Sequence, residues 1–212
     1  MESMNADSIA SLTTAAGTLV LAIATFAATR SANRSSKIAE RTLLAGLRPL
    51  LINSQIGEPD QKIGFGDDRW FYVPGGNAIF EEHDNVIYFV MSIRNAGSGI
   101  AVIQSWSPIP ERQGAEGHYE DIDTFRRQQR DFYIPSGGLG LWQGALRDPT
   151  DPLYQRFHEA LAEGRIISID VLYTDVHGGQ RTISRFNLQP GSEGRRIAAV
   201  TRHWVLDGES PR

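Results

Sequence analysis

The sequence predicts a mainly β fold, an immunoglobulin-like β-sandwich with one short helix, set behind a long N-terminal helix. A closed β-barrel is the alternative. Three observations lead there. Residues 8–29 contain no charged side chain. Beyond Pro49 the chain breaks into short runs rich in β-branched and aromatic residues, bounded by Gly, Pro, Asn and Asp clusters. A single stretch of helical periodicity, PTDPLYQRFHEALAEG, interrupts those runs.

The 212 residues suffice for one sizeable core with chain to spare. A net charge of −4 argues against a whole-domain nucleic-acid binder, which is usually strongly basic. Cysteine is absent, which excludes disulfides, thiolate nucleophiles, Cys-type zinc sites and iron–sulfur clusters. The expected organisation is an extracytoplasmic tail (1–7), a transmembrane helix (8–29), a basic juxtamembrane helical stalk (30–47), a β-rich domain (48–207) and a disordered tail (208–212).

The uncharged run has the roughly 20 residues needed to cross about 30 Å of hydrocarbon. Thr13, Thr14, Thr18 and Thr25 dilute it, but a helical hydroxyl can bond back to its own backbone carbonyls and so be tolerated in lipid. Glu2 and Asp7 stand where a cleaved signal peptide would carry positive charge. Arg30, Arg34, Lys37, Arg41 and Arg48 follow the run against the single acid Glu40. Positive flanks stay cytoplasmic, so the N-terminus is expected outside and the β-domain inside. Arg30, Arg34, Lys37 and Arg41 are the candidate membrane-surface residues, facing anionic headgroups. No strong breaker precedes Gly46 and Pro49, so one helix of roughly 57 Å is expected. Ala24, Ala28 and Ala32 recur at a spacing that permits helix–helix contact and a homo-oligomer.

The expected strands are LLINSQI, RWFYV, NVIYFVMSIRN, IAVIQSW, RDFYI, GLGLWQ, RIISIDVLYTD, QRTISRFNL and IAAVTRHWVL. In RIISIDVLYTD, Ile167, Ile169, Val171 and Tyr173 form the buried face. VHGG is a hairpin connection. In the helix, Thr150 or Asp151 caps the first turn, Pro152 suits it, Leu153, Phe157, Ala160 and Leu161 make the apolar stripe, and Gly164 ends it.

Several motifs resemble chemistry without its context. IRNAGSGIAVI has two glycines of a dinucleotide loop, but Val102 stands at the third position and a strand follows instead of a helix. A turn is expected, with Asn95, Gly97 and Gly99 permitting left-handed backbone. Asp121-Ile122-Asp123-Thr124 resembles a phosphotransferase D-x-D-x-T but follows a polar loop. The five histidines form no H-E-x-x-H, and no G-x-S-x-G or Walker loop occurs. Glu81, Glu82, His83 and Asp84 are the candidate divalent-cation ligands, weighed against a solvated turn. Arg126, Arg127 and Arg130 lie near Phe125, Phe132 and Tyr133, a minority pattern for nucleic acid. In RDFYIPSGGLGLWQGALRDPTDP, Arg130, Tyr133, Trp142 and Arg147 are the candidate binding residues, set against a packed bend between core strands.

The charge-free span, LRPLL, IRNAGSGIAVI and RDFYIPSGGLGLWQG together resemble, in general form, uncharacterised bacterial single-pass membrane proteins with a cytosolic β-rich domain. That resemblance carries no known activity and transfers no catalytic residue. The span and its basic flank lead to the expectation of a bacterial inner membrane, with the lipid bilayer and another protein as partners and no cofactor. The leading expectation is an anchored binding, scaffolding or accessory module. The alternatives are a tethered metal-assisted enzyme using the residue 81–84 cluster, and a sensor of a small ligand or lipid headgroup.

Overall fold

The computed structural model describes residues 6–114, 117–191 and 195–207. The chain divides into two compact units, residues 1–45 and residues 46–212. The tail expected at 208–212 lies outside the described residues, as does most of the segment expected before the span.

The first unit is one helix, α1 (Ala6–Gly46), 41 residues long. It is long and apolar enough to cross a membrane. Five of its hydroxyls bond within the helix: Thr14, Thr18, Thr25, Thr29 and Thr42 each donate to the carbonyl four residues earlier, at 2.7–2.9 Å. Those bonds remove the cost of carrying a hydroxyl among apolar neighbours. Arg30, Arg34 and Lys37 are exposed on it, while the side chain of Arg41 lies outside the described residues.

Among the described residues the second unit has eleven strands and one further α-helix. The strands are β1 (Leu51–Asn53), β2 (Gln61–Gly64), β3 (Trp70–Val73), β4 (Asn77–His83), β5 (Val86–Asn95), β6 (Ala101–Ile109), β7 (Arg126–Ile134), β8 (Leu139–Leu146), β9 (Ile167–Thr174), β10 (Thr182–Pro190) and β11 (Arg196–Val205). Helix α2 (Pro152–Ala162) lies between β8 and β9. Among the described residues nine strands form one antiparallel sheet, and β2 pairs with β3 alone. Across the sheet the order is β8, β5, β4, β11, β10, β9, β6, β7, with β1 extending the β4 side of β5. The sheet curls into a half-barrel, and its two end strands meet where Gln128 Nε2 donates to the Gln143 carbonyl at 3.1 Å.

The concave face holds the main core. It takes Ile87, Phe89, Met91 and Ile93 from β5, and Ile167, Ile169, Val171 and Tyr173 from β9, as the two-residue period requires. Helix α2 contributes Tyr154, Phe157 and Ala160 to it. Asp151 caps that helix by accepting from Leu153 N, and Pro152 fills the first turn. Phe157 sits edge-on to Phe80 and Phe89 at 5.9 and 5.2 Å, and Phe89 leads through Trp106 to Trp142. On β8 the inward row is Gly140, Trp142, Gly144. A Cβ on Gly144 would meet the Trp106 ring at 2.8 Å, and one on Gly140 would meet Ile134 at 2.6 Å. The glycines in GLGLWQG therefore admit neighbouring side chains against the strand backbone.

The other face of β9 is buried too. Asp170 and Arg185 are both 0% exposed there and share two hydrogen bonds of 2.7 and 2.6 Å. The Trp204 ring lies 4.8 Å from the Arg185 guanidinium. Strands β2 and β4 escaped the expectations, and β7 starts four residues earlier than RDFYI suggested. In β4 the three polar residues Glu81, Glu82 and His83 conceal a pairing that ends at Asp84 and Asn85, both at positive φ.

The stretch 95–100 corrects one expectation. Gly97 and Gly99 do not adopt positive φ. They are needed because the entry segment 47–50 runs directly over them: a Cβ on Gly99 would stand 1.8 Å from the Leu47 carbonyl oxygen, and one on Gly97 2.3 Å from that of Arg48. Ala96 N donates to the Leu50 carbonyl and Ser98 N to that of Arg48. The turn joins β5 to β6, which are not neighbours in the sheet. It is a crossing between two parts of the half-barrel, with the entry segment clamped to it.

Candidate functional site: a binding face around a bulged edge strand

Strand β7 pairs with β6 at Ile103↔Phe132 and then at Ser105↔Arg127. One β6 residue, Gln104, thus stands opposite four of β7, Gln128 to Asp131. The surplus makes an irregular bulge, which re-aims side chains and breaks the ladder. Polar residues fill it because they lose little by facing solvent.

Three concavities surround this bulge. A groove of about 460 Å³ is lined on one side by β2 (Gln61–Gly64) and Trp70, and on the other by Arg130, Phe132, Gly140 and Leu141. A wedge of about 100 Å³ opens where β7 and β8 diverge, with Trp106 and Gly144 beside Arg126, Arg127 and Arg147. A polar hollow of about 510 Å³ lies on the β6 side and includes Gln104, Asp123, Arg127 and Asp131.

The hairpin β2–β3 supplies the aromatic part of the face. Its inner residues Ile63, Phe71 and Val73 pack on Tyr88, Val90 and Leu141. Its outer residues remain open: Trp70 is 58% and Tyr72 62% exposed. Lys62 Nζ stands 4.6 Å from the Trp70 ring centroid and 5.2 Å from that of Tyr72, a cation held between two π faces. Trp70 also lies flat over Gly64, where a Cβ would meet its ring at 3.0 Å. On β7, Tyr133 is 60% exposed.

Two of the arginines are already engaged. Arg126 pairs with Asp151 at 3.0 Å and Arg147 with Asp67 at 2.5 Å. Tyr88 also donates to Asp67, at 2.6 Å. Partial burial pushes the Asp67 carboxyl up, but the Tyr88 hydroxyl and the Arg147 guanidinium outweigh it and hold it at about 2. Among the described residues Lys62, Arg127 and Arg130 have no ion-pair partner.

Of the four sequence-derived binding residues, Arg130 lines the groove, Arg147 borders the wedge, and Tyr133 is exposed on β7 but lines none of the three concavities. Trp142 is 0% exposed, in the core, 5.3 Å from the Trp106 ring. Lys62, Trp70 and Tyr72 were not anticipated as site residues. The signal was present: residues 61–73 alternate about a short loop containing Gly66, which reads as a hairpin.

Residues 81–84 are spread out by the β4–β5 hairpin. Glu81 pairs with His83 at 3.0 Å. Glu82 instead accepts from Tyr154 at 2.6 Å and lies 2.6 Å from His158 Nδ1. Burial pushes the Glu82 carboxyl up, and these two partners more than offset it, holding it below its ordinary range. Among the described residues no three His, Cys, Asp or Glu side chains group so as to hold a metal ion. Asp121 accepts from Asp123 N and caps a single 3₁₀ turn, a local use of the D-x-D pattern.

No protein-family model matches the chain, and comparison with curated proteins finds no similar sequence.

Proposed function

We propose that this chain is a membrane-anchored binding module whose partner docks on the face formed by β2–β3, the β7 bulge and the start of β8. The observation that carries this reading is the groove where Trp70, more than half exposed, and Lys62, which stands over the Trp70 and Tyr72 rings, face Arg130, the two cations having no ion-pair partner among the described residues. Large amphipathic rings offer contact area at little entropic cost, and cations beside them add specificity. The basic flank Arg30, Arg34, Lys37, Arg41 and Arg48 supports an N-terminus outside and the domain in the cytoplasm of a bacterial cell. For the fold, the approach of β7 to β8 favours the barrel-like alternative over the immunoglobulin-like sandwich.

The test is purification of the full chain in mild detergent, beside an Arg130→Glu/Tyr133→Ala variant with the same unfolding midpoint. A stoichiometric partner retained by the wild type and lost by the variant is expected. Equal retention by both would remove the proposed face. A reporter fused after Arg212 that is active only outside the cytoplasm would overturn the orientation.

A further inference from the structure

The groove beside β2 has an unusual wall. Four consecutive residues, Gln61, Lys62, Ile63 and Gly64, line it. Side chains of a strand alternate between two faces, so four in a row lining one groove means that the strand's edge borders it. That edge is unpaired, since β2 has β3 as its single partner among the described residues.

Which backbone groups it presents follows from the ladder. Phe65 N donates to the Arg69 carbonyl, so this residue pair is hydrogen-bonded. The register continues through Gly64↔Trp70, Ile63↔Phe71, Lys62↔Tyr72 and Gln61↔Val73. Hydrogen-bonded and non-bonded pairs alternate along an antiparallel ladder. Ile63 and Gln61 therefore bond towards β3, while Lys62 and Gly64 turn their N–H and C=O groups into the groove. Exposed edges are usually blunted by charge on the strand or covered by another element. Here the edge faces an apolar floor of Phe132 and Leu141, with Arg130 on the opposite wall.

We propose that this edge accepts an extended segment of a partner protein by strand addition, and that the segment alternates apolar and acidic residues. The proposal rests on the reading of this face as a binding site. The apolar side chains meet Phe132 and Leu141, and the acidic ones meet Lys62 and Arg130, which have no ion-pair partner among the described residues. Main-chain bonds to Lys62 and Gly64 give affinity, and the alternating contacts give specificity. Four residues offer about 13 Å of edge at roughly 3.3 Å per residue, enough for a short segment.

The probe is the blocked hexapeptide (Val-Glu)₃, compared with (Val-Lys)₃, titrated by fluorescence anisotropy against the full chain in phosphatidylcholine nanodiscs. The acidic peptide is expected to bind at least tenfold more tightly. N-methylation at all valines or at all glutamates should differ in effect, with one series losing more than tenfold and the other under threefold. Amides of Lys62 and Gly64 should slow in hydrogen exchange only when the acidic peptide is present. A Lys62→Glu/Arg130→Glu variant should reverse the preference towards (Val-Lys)₃, which separates a changed site from a misfolded one. Equal binding of both peptides, or equal effects of the two methylation series, would overturn the proposal. So would edge protection produced by phosphatidylglycerol nanodiscs alone, which would assign the edge to lipid, or by raised protein concentration alone, which would assign it to a second copy. If the peptide fails while the Arg130→Glu/Tyr133→Ala variant still loses its partner, strand addition falls and the binding face stands.

Discussion

Replacing Asn95 by Ala is expected to cost about 4 kcal/mol, and the reason lies in four hydrogen bonds. Asn95 is 0% exposed. Its Oδ1 accepts from Leu50 N at 3.0 Å and Gly97 N at 2.9 Å. Its Nδ2 donates to the carbonyls of Gly99 at 2.6 Å and Ile134 at 3.0 Å. One amide thus joins the entry segment, the β5–β6 crossing and the end of β7. Each bond contributes about 1 kcal/mol net, and stranding its buried partner costs at least that much. Four of them give roughly 4 kcal/mol, a large share of the 5–15 kcal/mol typical of a domain. The assay is urea unfolding of the full chain in mild detergent, followed by tryptophan fluorescence. All four tryptophans lie beyond residue 69, so the signal reports the β-domain and not α1. The denaturant slope should stay constant while the midpoint falls. Asn53→Ala, whose Oδ1 accepts from Val200 N and whose Nδ2 donates to the Ser54 carbonyl, should cost about 2 kcal/mol as an internal scale. A loss below about 1 kcal/mol for Asn95→Ala would refute the account of the clamp, because it would mean that the crossing holds without its amide.

Three further outcomes are expected. Phe157→Ala removes the ring that lies edge-on to Phe80 and Phe89, and should cost about 3–5 kcal/mol by the same assay. Arg185→Leu leaves Asp170 buried and unpaired and should cost about 3–5 kcal/mol, whereas Asp170→Leu/Arg185→Leu should recover most of that loss. Asp67, held at about 2 against roughly 3.9 unfolded, contributes stability that is complete above about pH 4 and disappears as pH falls towards 2. Asp67→Asn should therefore flatten the decline of the unfolding midpoint across that window.

Long apolar periodicity was legible because it depends on the chain alone. An uncharged run of more than twenty residues with no breaker before Gly46 has few conformations other than helix, and α1 follows. The same holds for β5 and β9, whose β-branched and aromatic content exceeds any helical pattern. Helix α2 was legible through its cap, its Pro and its stripe. Strand β4 was not, because Glu81, Glu82 and His83 satisfy their polar groups with Tyr154, His158 and each other, none of which local pattern announces.

For the site, the sequence determined which residues are chemically equipped: Arg130, Tyr133 and Arg147 stand in a segment dense in glycine and aromatics. Only tertiary structure decided which of them meet solvent. Trp142 has the same chemistry as Trp70, yet one is core and the other surface. The difference is set by neighbours distant in sequence. Gly140 and Gly144 open a space on the concave face that Trp106 and Ile134 fill around Trp142. Trp70 instead falls on the outer face of a hairpin whose inner face is already occupied by Ile63, Phe71 and Val73. A sequence encodes local period and side-chain chemistry directly. Burial depends on sheet order and curl, which arise from pairings between strands far apart along the chain.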